Sequence, residues 1–278
     1  MSAMTLTAGR SGGRSAWRSS IRRVTAISRA GTLLLLRNPR ALFVTAAMPV
    51  ALVVLFRLSV PPELANGTGM GAFVVTSLTG ATLILVIYYN LVTALVARRE
   101  ELVLKRLRTG ESRDAEILAG LVAPGLAIAW GQILIGGLAA VFVFGLQPPT
   151  NPLLVVVALV GGTVVFTLLA LASTGFTRNV QTAELTTTPV LVASLALSGL
   201  MLPVSLLPGP LQTIGQLMPL TPVVDLMRLG LVGTAPDGTT VDLARSFGAA
   251  AVPLIILCAW VAAGLLLARR LFRWEPRR

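Results

Sequence analysis

The chain has 278 residues, 55% of them hydrophobic and only 12% charged, with 23 Lys and Arg against 11 Asp and Glu. A soluble domain carries about twice that charged fraction, so polar surface is too scarce to cover a globule and lipid is the expected solvent. The net charge of +12 sits at the ends of apolar runs and is not interleaved with aromatics on one face, which argues against a nucleic-acid partner and for the positive-inside pattern.

The single cysteine, Cys258, lies in an apolar run, so no internal disulfide and no cysteine metal site is expected. There is no histidine, which removes the commonest general base and metal ligand together. Arg22-Arg23 resembles a twin-arginine signal. The apolar stretch that follows, Leu33 to Leu36, is bracketed by Arg29 and Arg37 and is shorter than the roughly 7–15 residues of a signal core. A retained N-terminus is expected.

Residues 1–15 are rich in Gly, Ser and Thr and read as a disordered tail. Over residues 16–37, Ile21, Val24, Ile27 and Leu34 share one side and Arg18, Arg22 and Arg29 another. This is either an amphipathic helix lying in the interface or a basic flank that sets topology. Residues 38–270 then hold six apolar runs. Span one is about Ala41 to Val60 with Pro49 inside, and span two about Gly71 to Ala97. Tyr88, Tyr89 and Asn90 lie deep in span two. They either line a path or pack between helices.

Between spans two and three comes the one dense block of mixed charge. It runs from Arg98 to Glu116, with six basic and five acidic residues in nineteen positions. Glu100 to Arg108 has good helix formers, and Glu101 and Lys105 stand in the favourable i,i+4 order. Val103, Leu104 and Leu107 make an apolar strip that faces either a partner or the lipid headgroups. Gly110 predicts a stop, Ser112 an N-cap, and Asp114 and Glu116 the first turn of the next helix.

Span three runs from about Ile117 to Leu146 and carries Trp130 and Gln132. Span four is about Leu153 to Phe176 and span five about Leu185 to Leu206. A Pro- and Gly-rich segment from Leu207 to Arg245 holds two apolar pieces, Leu211 to Met218 and Val223 to Val232. Each is shorter than the roughly 20 residues needed to span, so short helices on or in the outer face are predicted. Span six is about Phe247 to Ala268, and residues 271–278 form a basic tail. Twenty basic residues fall on one side of this topology and only Arg57, Arg228 and Arg245 on the other. That places both termini in the cytoplasm.

The runs contain no histidine, cysteine cluster or carboxylate pair at bilayer depth, so no enzyme is expected. The only lysine, Lys105, lacks the glycines of a phosphate loop, so any ATP would be bound by another chain. The expected fold is an all-α integral membrane protein. It has six transmembrane helices, an N-terminal interfacial helix, a short charged helix between spans two and three, and short outer re-entrant helices before span six.

Several stretches together resemble the membrane subunit of an ABC-2 type transporter, the drug- and polysaccharide-export class of ABC permeases. They are Arg99-Glu100-Glu101-Leu102-Val103-Leu104-Lys105-Arg106-Leu107-Arg108-Thr109-Gly110, then Ala115 to Gly120, then Leu207-Pro208, Met218-Pro219-Leu220-Thr221-Pro222 and Asp225-Leu226-Met227-Arg228. One departure is that Gly110 follows Thr109 where many relatives soon have a proline. The resemblance implies that the short helix is a coupling helix docked on a cytoplasmic ABC ATPase. Glu100, Glu101, Leu104, Lys105, Leu107 and Arg108 would then lie at the contact. It also implies two ATPase copies that bind the ATP and Mg, a second permease copy (identical or a sister), and outward movement of a hydrophobic or amphipathic compound. Tyr88, Tyr89, Asn90, Trp130 and Gln132 would either line its path or pack in the core. The expected setting is a bacterial cell membrane, and the alternative is a six-span secondary transporter without an ATPase.

Overall fold

The computed structural model describes residues 24–26, 28, 29, 33, 39–59, 68–109, 113–200, 204, 207–272 and 274. The tail over residues 1–15, most of residues 16–37, and Gly110 and Ser112 lie outside them. Val24, Thr25, Ala26, Ser28, Arg29 and Leu33 are helical. Among the described residues the chain is all-helical apart from one isolated bridge between Thr234 and Thr240.

The helices are α1 (Pro39–Ser59), α2 (Thr68–Ala81), a π-helical segment (Thr82–Tyr89), α3 (Asn90–Glu100), α4 (Val103–Arg108) and α5 (Asp114–Phe144). There follow α6 (Pro152–Thr174), α7 (Val180–Leu197), α8 (Gly209–Gln216), α9 (Thr221–Val232), α10 (Leu243–Ala249) and α11 (Ala251–Leu271). Four stretches among the described residues are long and apolar enough to cross a membrane: Gly69–Glu100, Asp114–Phe144, Pro152–Thr174 and Ala251–Leu271. In lipid a helix is favoured because it satisfies its own backbone groups. The runs expected as spans one and five are α1 and α7. Helix α7 starts earlier than the apolar pattern suggests, because Asn179 caps it: the Asn179 Oδ1 accepts from the Thr182 N–H at 2.9 Å.

The helix ends gather at two faces. At one face α3 finishes, α4 sits, α5 begins and α6 ends. There α6 also meets the last residue of α11, since a Cβ on Gly175 would run into the Leu271 carbonyl oxygen. At the other face Asn151 caps α6, accepting from the Leu154 N–H at 3.4 Å, and donates to Ser246 Oγ of α10 at 2.8 Å. Helix α5 ends there on Gly145 with φ 64°, a left-handed stop that suits glycine.

The two short apolar pieces fold as α8 and α9. Trp260 Nε1 donates to the Leu217 carbonyl at 2.8 Å, nine residues into α11. At about 1.5 Å per residue, the turn after α8 sits about 14 Å along α11 from its start. Val223, at the start of α9, packs at Gly162 in the middle of α6. Gly230, near the end of α9, packs against Asn151 and Val155 at the start of α6. The turn is thus at mid-depth, and α9 climbs from it along α6 to the far face. Two hydrogen bonds fix its end there: Asn151 N–H to the Gly230 carbonyl at 2.9 Å and Thr150 N–H to the Leu231 carbonyl at 3.3 Å.

Candidate functional site

The block from Arg98 to Glu116 folds as a knuckle between two long helices. The stretch Gly69–Glu100 has 32 residues and α5 has 31. Each would be about 46–48 Å long at the α-helical rise, against about 30 Å of hydrocarbon. Both therefore have length to spare, and α4 is held on that surplus.

The expected helix from Glu100 to Arg108 is broken in the structure. Helix α3 ends at Glu100, Glu101 and Leu102 form a turn, and α4 begins only at Val103. Leu102 takes a left-handed conformation with φ 59°, a costly state for a residue with a Cβ. Glu101 in the turn and Lys105 in α4 therefore do not lie on one continuous helix. Backbone hydrogen bonds hold the knuckle on both sides of Leu102: Glu101 N–H to the Ala97 carbonyl at 3.0 Å, Leu102 N–H to Arg99 at 3.1 Å, and Arg106 N–H to Leu102 at 3.0 Å. Helices α3 and α4 are thus one stiff piece with a bend.

Burial sorts the expected contact residues. Leu104 is 1% exposed and belongs to the core, so it has no surface to offer a partner. Leu107 is half-buried against that core. Glu100, Glu101, Lys105, Arg106 and Arg108 are exposed, and so is Leu102 at 43%. The apolar strip faces the protein's own helices and the charged side faces outward. Arg108 Nε stands 3.4 Å from Asp114 Oδ1, and its guanidinium lies 5.2 Å from the Trp274 ring centre. The N-cap of α5 is Arg113, whose N–H donates to Glu116 Oε2 at 3.1 Å.

Two arginines just before the knuckle point to opposite neighbours. Arg98 Nη1 donates to the Leu121 carbonyl of α5 at 3.1 Å. That carbonyl is next to Gly120's, which Pro124 leaves without its intrahelical N–H. Arg99 is 1% exposed. Its Nη1 donates to the Thr174 carbonyl at 2.8 Å, and its Nη2 to Thr177 at 2.6 Å and Arg178 at 3.1 Å. The sequence pattern showed both only as a basic flank. One signal of Arg99's role was present: α6 has no basic residue in its last turn to meet its terminal carbonyls.

The expected path residues are not brought together. Tyr88 is fully buried. Its hydroxyl is 3.0 Å from Ser173 Oγ and its ring meets Phe166 edge-on at 6.4 Å, so it joins the π-helical segment to α6. Tyr89 is half-buried. Asn90 is exposed, beside a cleft of about 190 Å³ between α3 and α5 that Arg98 also lines. Trp130 is 40% exposed. Gln132 is buried at a small void of about 30 Å³ with Met48, Pro49 and Thr82. A larger chamber of about 340 Å³ lies elsewhere, between α1, α2 and α7, walled by Met48, Phe56, Phe73, Leu195 and Leu200. Among the described residues Ser77 is the one hydroxyl on its wall, and its Oγ has no hydrogen-bond partner there.

No curated protein matches the chain. The family model for the ABC-2 type transporter matches residues 22–232, which takes in α1, the knuckle, α5, α6, α7 and the α8–α9 pair. Members of this family are membrane domains that carry no ATPase site and generally work with an ATPase partner. Because that match covers most of the chain, the chain belongs to the ABC-2 type transporter family.

Proposed function

We propose that this permease exports a hydrophobic or amphipathic compound, driven by two copies of a separate cytoplasmic ABC ATPase that bind the ATP and Mg. A second permease copy, identical or a sister chain, completes the pore. In this reading α1, the α2–α3 stretch, α5, α6, α7 and α11 are the six spans. The α4 face is cytoplasmic, both termini lie on that side of a bacterial cell membrane, and α8–α9 re-enters from outside.

The observation that carries the reading is the knuckle. A six-residue helix is anchored by a buried Leu104 and turns Lys105, Arg106 and Arg108 outward between two overlong helices. Such a piece is built to be pushed. Glu100, Glu101, Leu102, Lys105, Arg106 and Arg108 form the ATPase contact, with Leu104 and Leu107 as its internal anchors. The nearly all-apolar chamber with one unpartnered hydroxyl suits a compound that is mostly hydrocarbon with a single hydrogen-bonding group.

The test is co-expression with the ABC ATPase encoded nearest to this gene. The wild type should co-purify with it, and in vesicles the pair should show ATP-dependent transport of a hydrophobic dye. Arg106→Glu should keep the fold and lose the ATPase. Undiminished ATPase binding by Arg106→Glu would sink the contact assignment.

A further inference from the structure

We propose that Arg99 is the positioning residue that carries movement of the α4 knuckle into the turn between α6 and α7, and through α7 into the wall of the apolar chamber. The inference rests on the ATPase-coupled reading above and goes beyond it by naming the route inside this chain.

Helix α6 ends at Thr174; its Leu171, Ala172 and Ser173 carbonyls accept from Thr174 Oγ1, Gly175 N–H and Phe176 N–H, while the Thr174 carbonyl accepts from a distant donor. Arg99, 75 residues earlier in the chain, is that donor, from another helix. Its planar fork reaches three carbonyls at once, on Thr174, Thr177 and Arg178. A guanidinium suits this, since its donors are held in a fixed plane. The positive charge also lies at the negative end of the α6 dipole.

The turn it grips is stiff. Thr177 is fully buried and its Oγ1 lies 2.8 Å from Thr186 Oγ1. Asn179 and Thr182 exchange bonds across the start of α7 at 2.9 and 3.2 Å. Only Glu100, Glu101 and Leu102 separate Arg99 from α4, and backbone bonds cross that interval. Displacing α4 must therefore drag the α6–α7 turn or break three charge-assisted bonds. Helix α7 begins two residues after Arg178, and further along it Leu195 faces the chamber. Arg98, holding α5, steadies the other side of the same stiff piece.

The experiment uses the permease–ATPase complex in vesicles, with ATP hydrolysis and dye transport measured on the same sample. Arg99→Met should still co-purify with the ATPase and hydrolyse ATP within about twofold of wild type. Dye moved per ATP should fall about tenfold or more, the scale of one lost charge-assisted hydrogen bond. Arg99→Lys, which keeps the charge but not the fork, should fall in between. Unchanged dye moved per ATP in Arg99→Met would overturn the inference.

Should Arg99→Met fail to fold, the wild-type Arg99 chain decides the matter. Spin labels at Thr109→Cys and Gln181→Cys, in a Cys258→Ser background, read the distance from α4 to the start of α7. A distance that holds steady when ATP is added supports the coupling, and a change of more than about 5 Å, roughly one helical pitch, overturns it. A wild-type chain that binds no ATPase at all sinks the functional reading instead, and the two failures are distinguishable.

Discussion

Gly230→Ala should loosen the α9 helix from α6. A Cβ at Gly230 would lie 2.7 Å from Val155 Cγ2, 2.9 Å from the Val155 backbone nitrogen and 3.1 Å from the Asn151 carbonyl oxygen. The valine methyl can rotate away, but the two backbone atoms cannot. Ordinary contact begins near 3.4 Å, so relief from the Val155 nitrogen at 2.9 Å requires α9 to retreat by about 0.5 Å. That retreat stretches the bond from Asn151 N–H to the Gly230 carbonyl from 2.9 Å to about 3.4 Å, and it takes the Thr150–Leu231 bond, now 3.3 Å, out of range.

Overpacking of this kind costs about 1–3 kcal/mol. Two weakened hydrogen bonds add about 1 kcal/mol. The better helix propensity of alanine returns about 1 kcal/mol. The expected net loss is thus about 1–3 kcal/mol. Gly137→Ala is the control, because a Cβ there meets nothing within 4 Å and only the propensity gain remains. The assay is thermal unfolding of detergent-purified protein, read by loss of the monodisperse chromatography peak. Gly230→Ala should melt well below wild type and Gly137→Ala at or above it. Equal melting of the two variants would refute the close packing of α9 on α6.

Leu104 and Arg106 should separate stability from partner contact. Leu104→Ala removes a fully buried side chain and should cost about 2–5 kcal/mol in the same melt, whereas Arg106→Glu, on the exposed face, should stay within about 0.5 kcal/mol. A Leu104→Ala protein that melts like wild type would show that Leu104 is not an anchor. Tyr88→Phe deletes the bond to Ser173 Oγ and should cost about 1 kcal/mol of stability while dye transport stays near wild type. Loss of transport without loss of stability would instead assign Tyr88 to the path.

The charged stretch was legible as an important place, and its division was not. Good helix formers and the Glu101–Lys105 spacing predicted a helix from Glu100, but the sequence carries no glycine or proline to announce the bend at Leu102. The bend exists because Leu104 must reach the core while α3 continues straight, a requirement set by the neighbouring helices. For the same reason Leu102 and Leu104, two residues apart and alike in type, end with 43% and 1% exposure.

What the sequence by itself determined is the material: apolar runs of spanning length, arginines gathered at one set of ends, and the short Pro- and Gly-bounded pieces that became α8 and α9. These follow from local physics, because in lipid each helix closes its own hydrogen bonds and each charge seeks water. What only the tertiary structure decided is which groups meet. Arg99 finds carbonyls 75 to 79 residues away, and Tyr88 finds a serine 85 residues away. No periodicity encodes such partners. They are selected when helices pack, because a buried guanidinium and the open end of a helix are each costly alone and satisfied together.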